Sequence, residues 1–171
     1  MTWIDCGPQH LEAIRLIFNE AIEHTTAMYD YDPRSPEFMQ TWWQAKQAGA
    51  YPVIGVLSDS GELMGFASYG PFRNFPAYQF TVEHSVYVDQ RFRGLGLGRH
   101  LLERTMTASE TQGYHTMIGV IDTGNTISIS LHEKLGFQRC GEILHVGFKF
   151  DRWLDVVLYQ KILPAAPNSK G

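Results

Sequence analysis

The sequence has few of the features that mark secreted, membrane-bound or nucleic-acid-binding proteins. It holds two cysteines, Cys6 and Cys140, and no CxxC pair, which excludes a disulfide framework and suits a reducing compartment. No apolar run approaches the roughly 20 residues of a membrane span, and the first residues lack the basic and apolar regions of a signal peptide. A net charge of -4 without any Lys/Arg run argues against a nucleic acid or an anionic membrane as partner. We therefore expect a soluble cytoplasmic protein.

The spacings typical of metal ligands are also missing. The seven histidines form no HxxxH pair and no Cys/His cluster, and His132-Glu133 lacks the second histidine of HExxH. These histidines are His10, His24, His84, His100, His115, His132 and His145. We expect no bound metal.

The sequence does contain a full set of globular elements. Its 171 residues, 44% hydrophobic and 19% charged, suit one domain, expected over residues 1–163, with a flexible polar tail over 164–171. Apolar residues at helical spacing predict helices over 11–22, from the Ser35 N-cap to Gly49, over 97–108 and over 127–135. Alternating or continuous apolar runs predict strands at 3–5, 53–57, 63–69, 78–88, 117–121, 138–148 and 154–162. The fold class is α+β (α/β), with a central mixed sheet of about seven strands that carries helices on both faces.

A glycine-rich loop, Arg93 to Gly98, separates the clearest strand from the helix that follows it. Glycines let backbone N–H groups turn towards a ligand, and the helix N-terminus adds partial positive charge. The spacing is neither GxxxxGK[ST] nor GxGxxG, which excludes the Walker and dinucleotide patterns. From these residues alone, the loop is either an anion site or a ligand-free turn.

The pattern Arg-x-x-Gly-x-Gly at Arg93, Gly96 and Gly98 resembles the pyrophosphate motif of the GCN5-related N-acetyltransferases (GNAT). A second match supports it, since Asn125 begins a helix that ends at Leu135-Gly136-Phe137 before another strand. The resemblance implies an acyl-CoA N-acyltransferase fold and acetyl-CoA as cosubstrate. It implies cofactor contacts from Val86, Tyr87, Val88, Arg93, Gly94, Leu95, Gly96, Leu97, Gly98, Arg99 and Asn125.

Three segments look more closely like the phosphinothricin and methionine sulfone/sulfoximine acetyltransferases: residues 81–88, 131–137 and 146–155. This resemblance implies transfer of acetyl to the α-amino group of a small amino-acid analogue. It also implies a homodimer with its two active sites near the interface. The branch is known for detoxification of such analogues, so the physiological amine stays open.

Two residues are candidates for acid–base catalysis. Glu83 lies on the strand that leads into the loop, and partial burial would raise its pKa towards a working value. His132 follows Asn125 by seven residues, and an imidazole can act as base or acid near neutral pH. From position alone, a surface carboxylate and a packing histidine are the alternatives. We expect Glu83 to receive the amine proton and His132 to assist or to protonate the sulfur, although the residues do not fix that assignment.

The substrate and the oxyanion have their own candidates. Backbone N–H groups of Val86 to Val88 are expected to stabilise the tetrahedral oxyanion, as inferred from the fold. Arg73, on the loop before Glu83, suits a carboxylate or phosphinate. Further pocket candidates are Asn74, Phe75 and Tyr78, with Thr26 and Tyr29 weaker. The sequence does not decide whether three residues serve the substrate pocket or the dimer contact: Lys149, Arg152 and Trp153. Trp153 fits the core equally well.

Two other functions fit the same motifs. A protein or peptide N-acetyltransferase of this fold would need an open groove instead of a closed anion pocket. A non-catalytic acyl-CoA sensor would keep the loop and leave Glu83 and His132 incidental.

Overall fold

The structure, a computed structural model, describes residues 1–164. Within them the chain forms seven strands: β1 (Thr2–Asp5), β2 (Val53–Leu57), β3 (Leu63–Pro71), β4 (Thr81–Val88), β5 (Thr116–Asp122), β6 (Gln138–Lys149) and β7 (Arg152–Ile162). The same residues form four α-helices: α1 (Leu11–His24), α2 (Pro36–Ala48), α3 (Leu97–Thr111) and α4 (Thr126–Lys134). The tail predicted over 164–171 lies outside the described residues except for Pro164.

The strands are hydrogen-bonded in the order β1-β2-β3-β4-β5-β7-β6. β2 pairs antiparallel with β1 and β3, and β7 pairs antiparallel with β5 and β6. β4 and β5 run parallel, in a register from Thr81↔Thr116 to Glu83↔Ile118. The predicted mixed sheet of about seven strands is confirmed.

By their contacts the residues fall into two compact units, the first made of residues 1–70 and 85–105. Apolar residues of α1 at helical spacing, among them Ile14 and Phe18, form a buried core with Phe66 of β3. The Phe18 and Phe66 rings meet edge to face at 5.0 Å. α2 begins as predicted, with the Ser35 hydroxyl accepting a hydrogen bond from the Phe38 N–H at 3.1 Å.

The second unit consists, among the described residues, of 71–84 and 106–164. Its strands β5 and β7 pair antiparallel, in a register from Thr116↔Ile162 to Asp122↔Val156. α4 begins and ends as the sequence predicts. The Asn125 side chain accepts from the Ser128 N–H at its start, and Gly136, with φ of 79°, follows its end.

The strand predicted from Tyr78 begins later, at Thr81. Pro76 to Tyr78 form a 3-10 turn, because Pro76 has no N–H for a sheet ladder and its fixed φ suits a helical first turn. The Tyr78 ring instead packs edge to face on Phe72 at 5.8 Å. The apparent alternation of Tyr78 and Phe80 with the strand was therefore misleading.

None of the helices within residues 1–164 is both long and apolar enough to cross a membrane. Cys6 is buried and Cys140 is exposed, and both are free thiols.

Candidate active site

The glycine-rich loop has the backbone shape that the sequence predicts. Gly94 and Gly96 have φ of 83° and 76°, in the left-handed region that favours glycine. A Cβ at either position would meet nothing within 4 Å, so glycine is needed here for conformation and not for space. Leu97, which begins α3, is 2% exposed and anchors the end of the loop. Backbone N–H groups of the loop and the start of α3 can therefore present an anion site.

The arginines beside the loop are held by carboxylates. Arg93 forms an ion pair with Glu20, and its Nε donates to the Val88 carbonyl at 3.2 Å. Arg99 pairs with Glu103 at 2.9 Å. Since these guanidinium groups already have anionic partners, the backbone amides are the groups of this loop best placed to hold a pyrophosphate.

Arg91 shows the same pattern. Its guanidinium lies 2.8 Å from Asp89 and 2.9 Å from Glu62. Arg91 therefore braces the turn that joins β4 to the loop.

The strand before the loop is packed tightly against β3. The Tyr87 ring lies 5.0 Å from Phe18 and 5.6 Å from Phe66. A Cβ at Gly65 would approach the Tyr87 carbonyl oxygen to 2.8 Å, so only glycine allows this close approach. The backbone of Val86 to Val88 is thus held rigidly, as a set of oxyanion and pantetheine contacts requires.

Glu83 occupies the last position at which β4 is in register with β5, opposite Ile118. Val82 is fully buried, whereas Glu83 points to the opposite face and is exposed as a residue. Even so, partial desolvation raises the pKa of its carboxyl above the usual range. A carboxylate of raised pKa is a better proton acceptor, as a general base for an ammonium needs.

His132 is buried, at 3% exposure, on α4. Its Nδ1 lies 2.7 Å from the Ser128 carbonyl oxygen, one turn earlier. Its Nε2 lies 3.0 Å from Nε2 of His84 on β4, and the two rings stack with centroids 5.0 Å apart. Gly119 of β5 makes room for the pair, since a Cβ there would come within 3.0 Å of both Nε2 atoms.

Burial lowers the pKa of both imidazoles. The pKa of His84 falls to about 3, first through desolvation and then through repulsion from His132. The pKa of His132 is also lowered by desolvation, against a smaller opposing effect of its hydrogen bond to Ser128. Both rings are therefore neutral at pH 7.

His84 is the residue that the sequence interpretation missed. Strand alternation already placed it on the same face as buried Val82, and that was the available signal. Its pairing with His132, 48 residues away, was not readable from spacing.

The substrate candidates Arg73, Asn74 and Phe75 lie on the exposed segment between β3 and β4. The Phe72 N–H donates to the Thr81 carbonyl at 3.3 Å, which closes this segment into a loop at the start of β4. Among residues 1–164, Arg73 has no carboxylate partner. Its guanidinium lies 5.5 Å from the Phe72 ring and can meet an incoming anion.

Trp153, Lys149 and Arg152 lie in different environments. Trp153 is 59% exposed, which excludes the alternative that it belongs to the core. It packs on Phe148 at 5.2 Å and stacks on His145 at 6.0 Å. Lys149 is buried, with its ammonium 5.0 Å from the Phe150 ring, and Arg152 is exposed.

The weaker candidates Thr26 and Tyr29 follow α1 in the first unit, half-buried and exposed respectively. Over the described part of the chain, no group of three or more His, Cys, Asp or Glu side chains is placed to hold a metal ion.

Comparison with known proteins gives one family match and three similar proteins. Residues 12–137 match the model of the acetyltransferase (GNAT) family. An L-methionine sulfoximine/L-methionine sulfone acetyltransferase of Pseudomonas paraeruginosa is 41% identical over 156 residues, 91% of each chain. A GNAT superfamily phosphinothricin acetyltransferase of Sinorhizobium meliloti, crystallised in complex with acetyl-CoA, is 34% identical with a TM-score of 0.92, covering 95% of this chain and 88% of its own.

A third protein, a ribosomal-protein-alanine N-acetyltransferase of Brucella melitensis, has the same fold. It is 36% identical with a TM-score of 0.93, covering 95% of this chain and all of its own. The fold is therefore shared with proteins named as acetyltransferases of small molecules and of a ribosomal protein.

Proposed function

We propose that the acceptor of this enzyme is the α-amino group of a small amino-acid analogue. The chain belongs to the GNAT acetyltransferase family and is an acetyl-CoA-dependent N-acetyltransferase. The proposed substrates are L-methionine sulfone, L-methionine sulfoximine and L-phosphinothricin. The observation that carries the proposal is the 41% identity, over 91% of the chain, to an L-methionine sulfoximine/L-methionine sulfone acetyltransferase, and Glu83 lies on the strand that runs directly into the loop of Gly94 and Gly96.

The cofactor contacts follow from the backbone. We assign the pyrophosphate to the N–H groups from Gly94 to Arg99 at the start of α3. Arg93 holds the loop in place through Glu20. Asn125, whose side chain already accepts from the Ser128 N–H, is assigned to the pantetheine arm through its remaining polar atoms.

The proposed reaction is direct attack in a ternary complex. Glu83 takes a proton from the substrate ammonium, directly or through water, because only the neutral amine is nucleophilic. The amine nitrogen then bonds to the thioester carbonyl carbon, and N–H groups of Val86 to Val88 stabilise the oxyanion. The C–S bond breaks as the amide forms, and the extra proton on the attacking nitrogen passes to the departing sulfur, so that the products are the amide and the free thiol of CoA. His132 assists by holding α4 and β4 together.

The substrate's second charge is assigned to Arg73. Its guanidinium stands on an exposed loop beside the start of β4 and has no carboxylate partner within residues 1–164. A forked guanidinium binds a carboxylate or phosphinate through two parallel hydrogen bonds. Asn74 and Phe75, which is 67% exposed, would line the same pocket.

Thiol release from acetyl-CoA tests the substrate class. We expect turnover with methionine sulfone, methionine sulfoximine or phosphinothricin, and mass spectrometry should find the acetyl group on the α-amine. No turnover with any of these would refute the substrate class. A wider panel of free amino acids would then identify the acceptor.

The likeness to a ribosomal-protein-alanine acetyltransferase makes proteins the second candidate class of substrate. Peptides with an N-terminal alanine, incubated under the same conditions, would be acetylated faster than the small analogues if that alternative holds. Tight CoA binding without turnover on either panel would instead favour the acyl-CoA sensor.

We further propose a homodimer formed through the hairpin of β6 and β7. This hairpin exposes a cluster of large apolar side chains: Ile143, Leu144, Val146, Phe148, Phe150 and Trp153. An exposed apolar patch of this kind is typical of an interface. Sedimentation should give a dimer for the wild type and a monomer for Trp153→Ser, and a wild-type monomer would refute this assignment. The proposed compartment is the cytoplasm, which suits the free thiols of Cys6 and Cys140.

A further inference from the structure

The buried histidine pair can be assigned its hydrogen atoms from geometry alone. A carbonyl oxygen only accepts hydrogen bonds, so Nδ1 of His132, 2.7 Å from the Ser128 oxygen, carries a hydrogen. In a neutral ring, Nε2 of His132 then has only a lone pair. The opposing atom at 3.0 Å, Nε2 of His84, must therefore be the donor.

This assignment leaves Nδ1 of His84 as a lone pair. That atom is buried and has no hydrogen-bond partner among residues 1–164. The other neutral tautomer of His84, with its hydrogen on Nδ1, would place the lone pairs of the two Nε2 atoms face to face. It would also bury an unsatisfied Nδ1–H, which costs more than an unsatisfied acceptor lone pair. One arrangement is thus strongly favoured: Ser128 accepts from His132, and His132 accepts from His84.

We propose that His84 is a positioning residue: its Nε2–H engages the Nε2 lone pair of His132, whose Nδ1 hydrogen is fixed by the Ser128 carbonyl, and so leaves Glu83 as the group that takes the amine proton. The inference rests on the proposed function for its catalytic meaning. It resolves the choice between Glu83 and His132, because both ring nitrogens of His132 are already engaged. A direct transfer from His132 to the thiolate would need a hydrogen atom that this arrangement does not offer.

The surroundings of the pair keep it neutral. Gly119 contributes no side chain from β5, and Phe137 packs edge to face on both rings, at 5.7 Å from His84 and 4.9 Å from His132. From β7 the Tyr159 ring lies 6.1 Å from His132, and its hydroxyl donates to Glu133 of α4 at 2.8 Å. Glu83, the neighbour of His84 on β4, points to the opposite face of the strand.

Nitrogen-15 spectra of the histidine rings test the assignment without any turnover, so their result is independent of the proposed substrate. Between about pH 6 and 8 we expect two neutral rings, His84 with an unprotonated Nδ1 and His132 with an unprotonated Nε2. A hydrogen on Nε2 of His132, or an imidazolium in either ring at pH 7, would overturn the proposal.

Two substitutions at His84 separate positioning from packing. The amide of His84→Gln can still donate to His132, so we expect the same His132 tautomer and a kcat/KM within about threefold of wild type. His84→Leu removes the donor and leaves the Nε2 lone pair of His132 without a partner, so we expect roughly a tenfold lower kcat/KM and a changed pH profile in which His132 takes up a proton. His100→Gln, at an exposed histidine, serves as the control.

If His84→Leu keeps the wild-type kcat/KM and an unchanged pH profile, the pair is mere packing and the proposal is wrong. If the leucine variant does not fold, the spectra of the wild type and of His84→Gln still decide. Loss of the wild-type His132 tautomer in His84→Gln would equally contradict a role for the donated hydrogen.

Discussion

Arg93 and Glu20 form an ion pair that ties the first residue of the glycine-rich loop to α1. The Glu20 side chain is only 15% exposed, and Arg93 also donates to the Val88 carbonyl. The motif arginine is thus engaged within the protein, and we propose that it supports the loop backbone that binds the cofactor.

The ion pair of Arg93 with Glu20 predicts that its removal weakens acetyl-CoA binding without slowing acetyl transfer. Glu20→Gln should raise the KM for acetyl-CoA by about fivefold, equivalent to ~1 kcal/mol of lost loop order, with kcat within twofold. Steady-state kinetics with varied acetyl-CoA measure this. The Glu20→Gln/Arg93→Gln double variant should be little worse than either single change, and additive losses would show that Arg93 binds phosphate independently.

The positive φ of Gly96 predicts a loop-specific effect of alanine. The left-handed conformation costs alanine about 1–2 kcal/mol, so Gly96→Ala must either strain the loop or turn its amides away. We expect a KM for acetyl-CoA raised about fivefold or more. Gly113→Ala is the matched control: φ is 85° there and nothing lies within 4 Å of the added Cβ, as at Gly96. That control should lose stability without a change in KM.

Removal of the Glu83 carboxylate should abolish most of the chemistry. Glu83→Gln should lower kcat/KM by about 10²–10⁴-fold with the KM for acetyl-CoA little changed. In the wild type, activity should fall as the pH drops through the raised pKa of Glu83, above the usual carboxylate range, and Glu83→Gln should lose this acid limb. Unchanged acetylation in Glu83→Gln would contradict its role as base.

Stability provides the control for Glu83→Gln. A carboxyl whose pKa is raised by folding favours the folded state most below its unfolded pKa, and this contribution is lost as the pH rises through the folded value. At neutral pH the ionised Glu83 therefore slightly destabilises the folded state, and Glu83→Gln should unfold at the same or a higher temperature than wild type. Loss of activity in that variant then cannot be attributed to unfolding.

Lys46 predicts a pH effect on stability in the first unit. Its ammonium donates to the Tyr69 carbonyl at 2.7 Å and lies 5.5 Å from the Trp42 ring, and desolvation lowers its pKa to about 8. Between that value and about 10.5, the unfolded chain holds a proton that the folded chain does not. As the pH rises through this range, the free energy of unfolding of the wild type should therefore increase relative to that of Lys46→Met, as measured by urea unfolding. A constant difference would show an ordinary pKa.

Much of the fold was predictable because its signals are local. Helical spacing placed α1, the Ser35 cap placed the start of α2, and Asn125 with Gly136 bounded α4. These features depend on residues within one turn of each other, which a sequence displays directly. The start of β4 was predicted wrongly because the apolar residues Tyr78 and Phe80 imitate a strand, whereas Pro76 fixes a 3-10 turn there.

By itself the sequence predicted the glycine-rich loop, since Arg93, Gly96 and Gly98 carry a recognisable spacing, and the positive φ of Gly94 and Gly96 favours glycine. It also placed Glu83 on the correct face of its strand. Only the tertiary structure decided what surrounds these groups: the carboxylate partner of Arg93, the desolvation of Glu83, and the neutral pair that His84 forms with His132. The physical reason is that charge and proton positions depend on burial and on partners distant in the chain, and these exist only once β4, β5 and α4 have packed together.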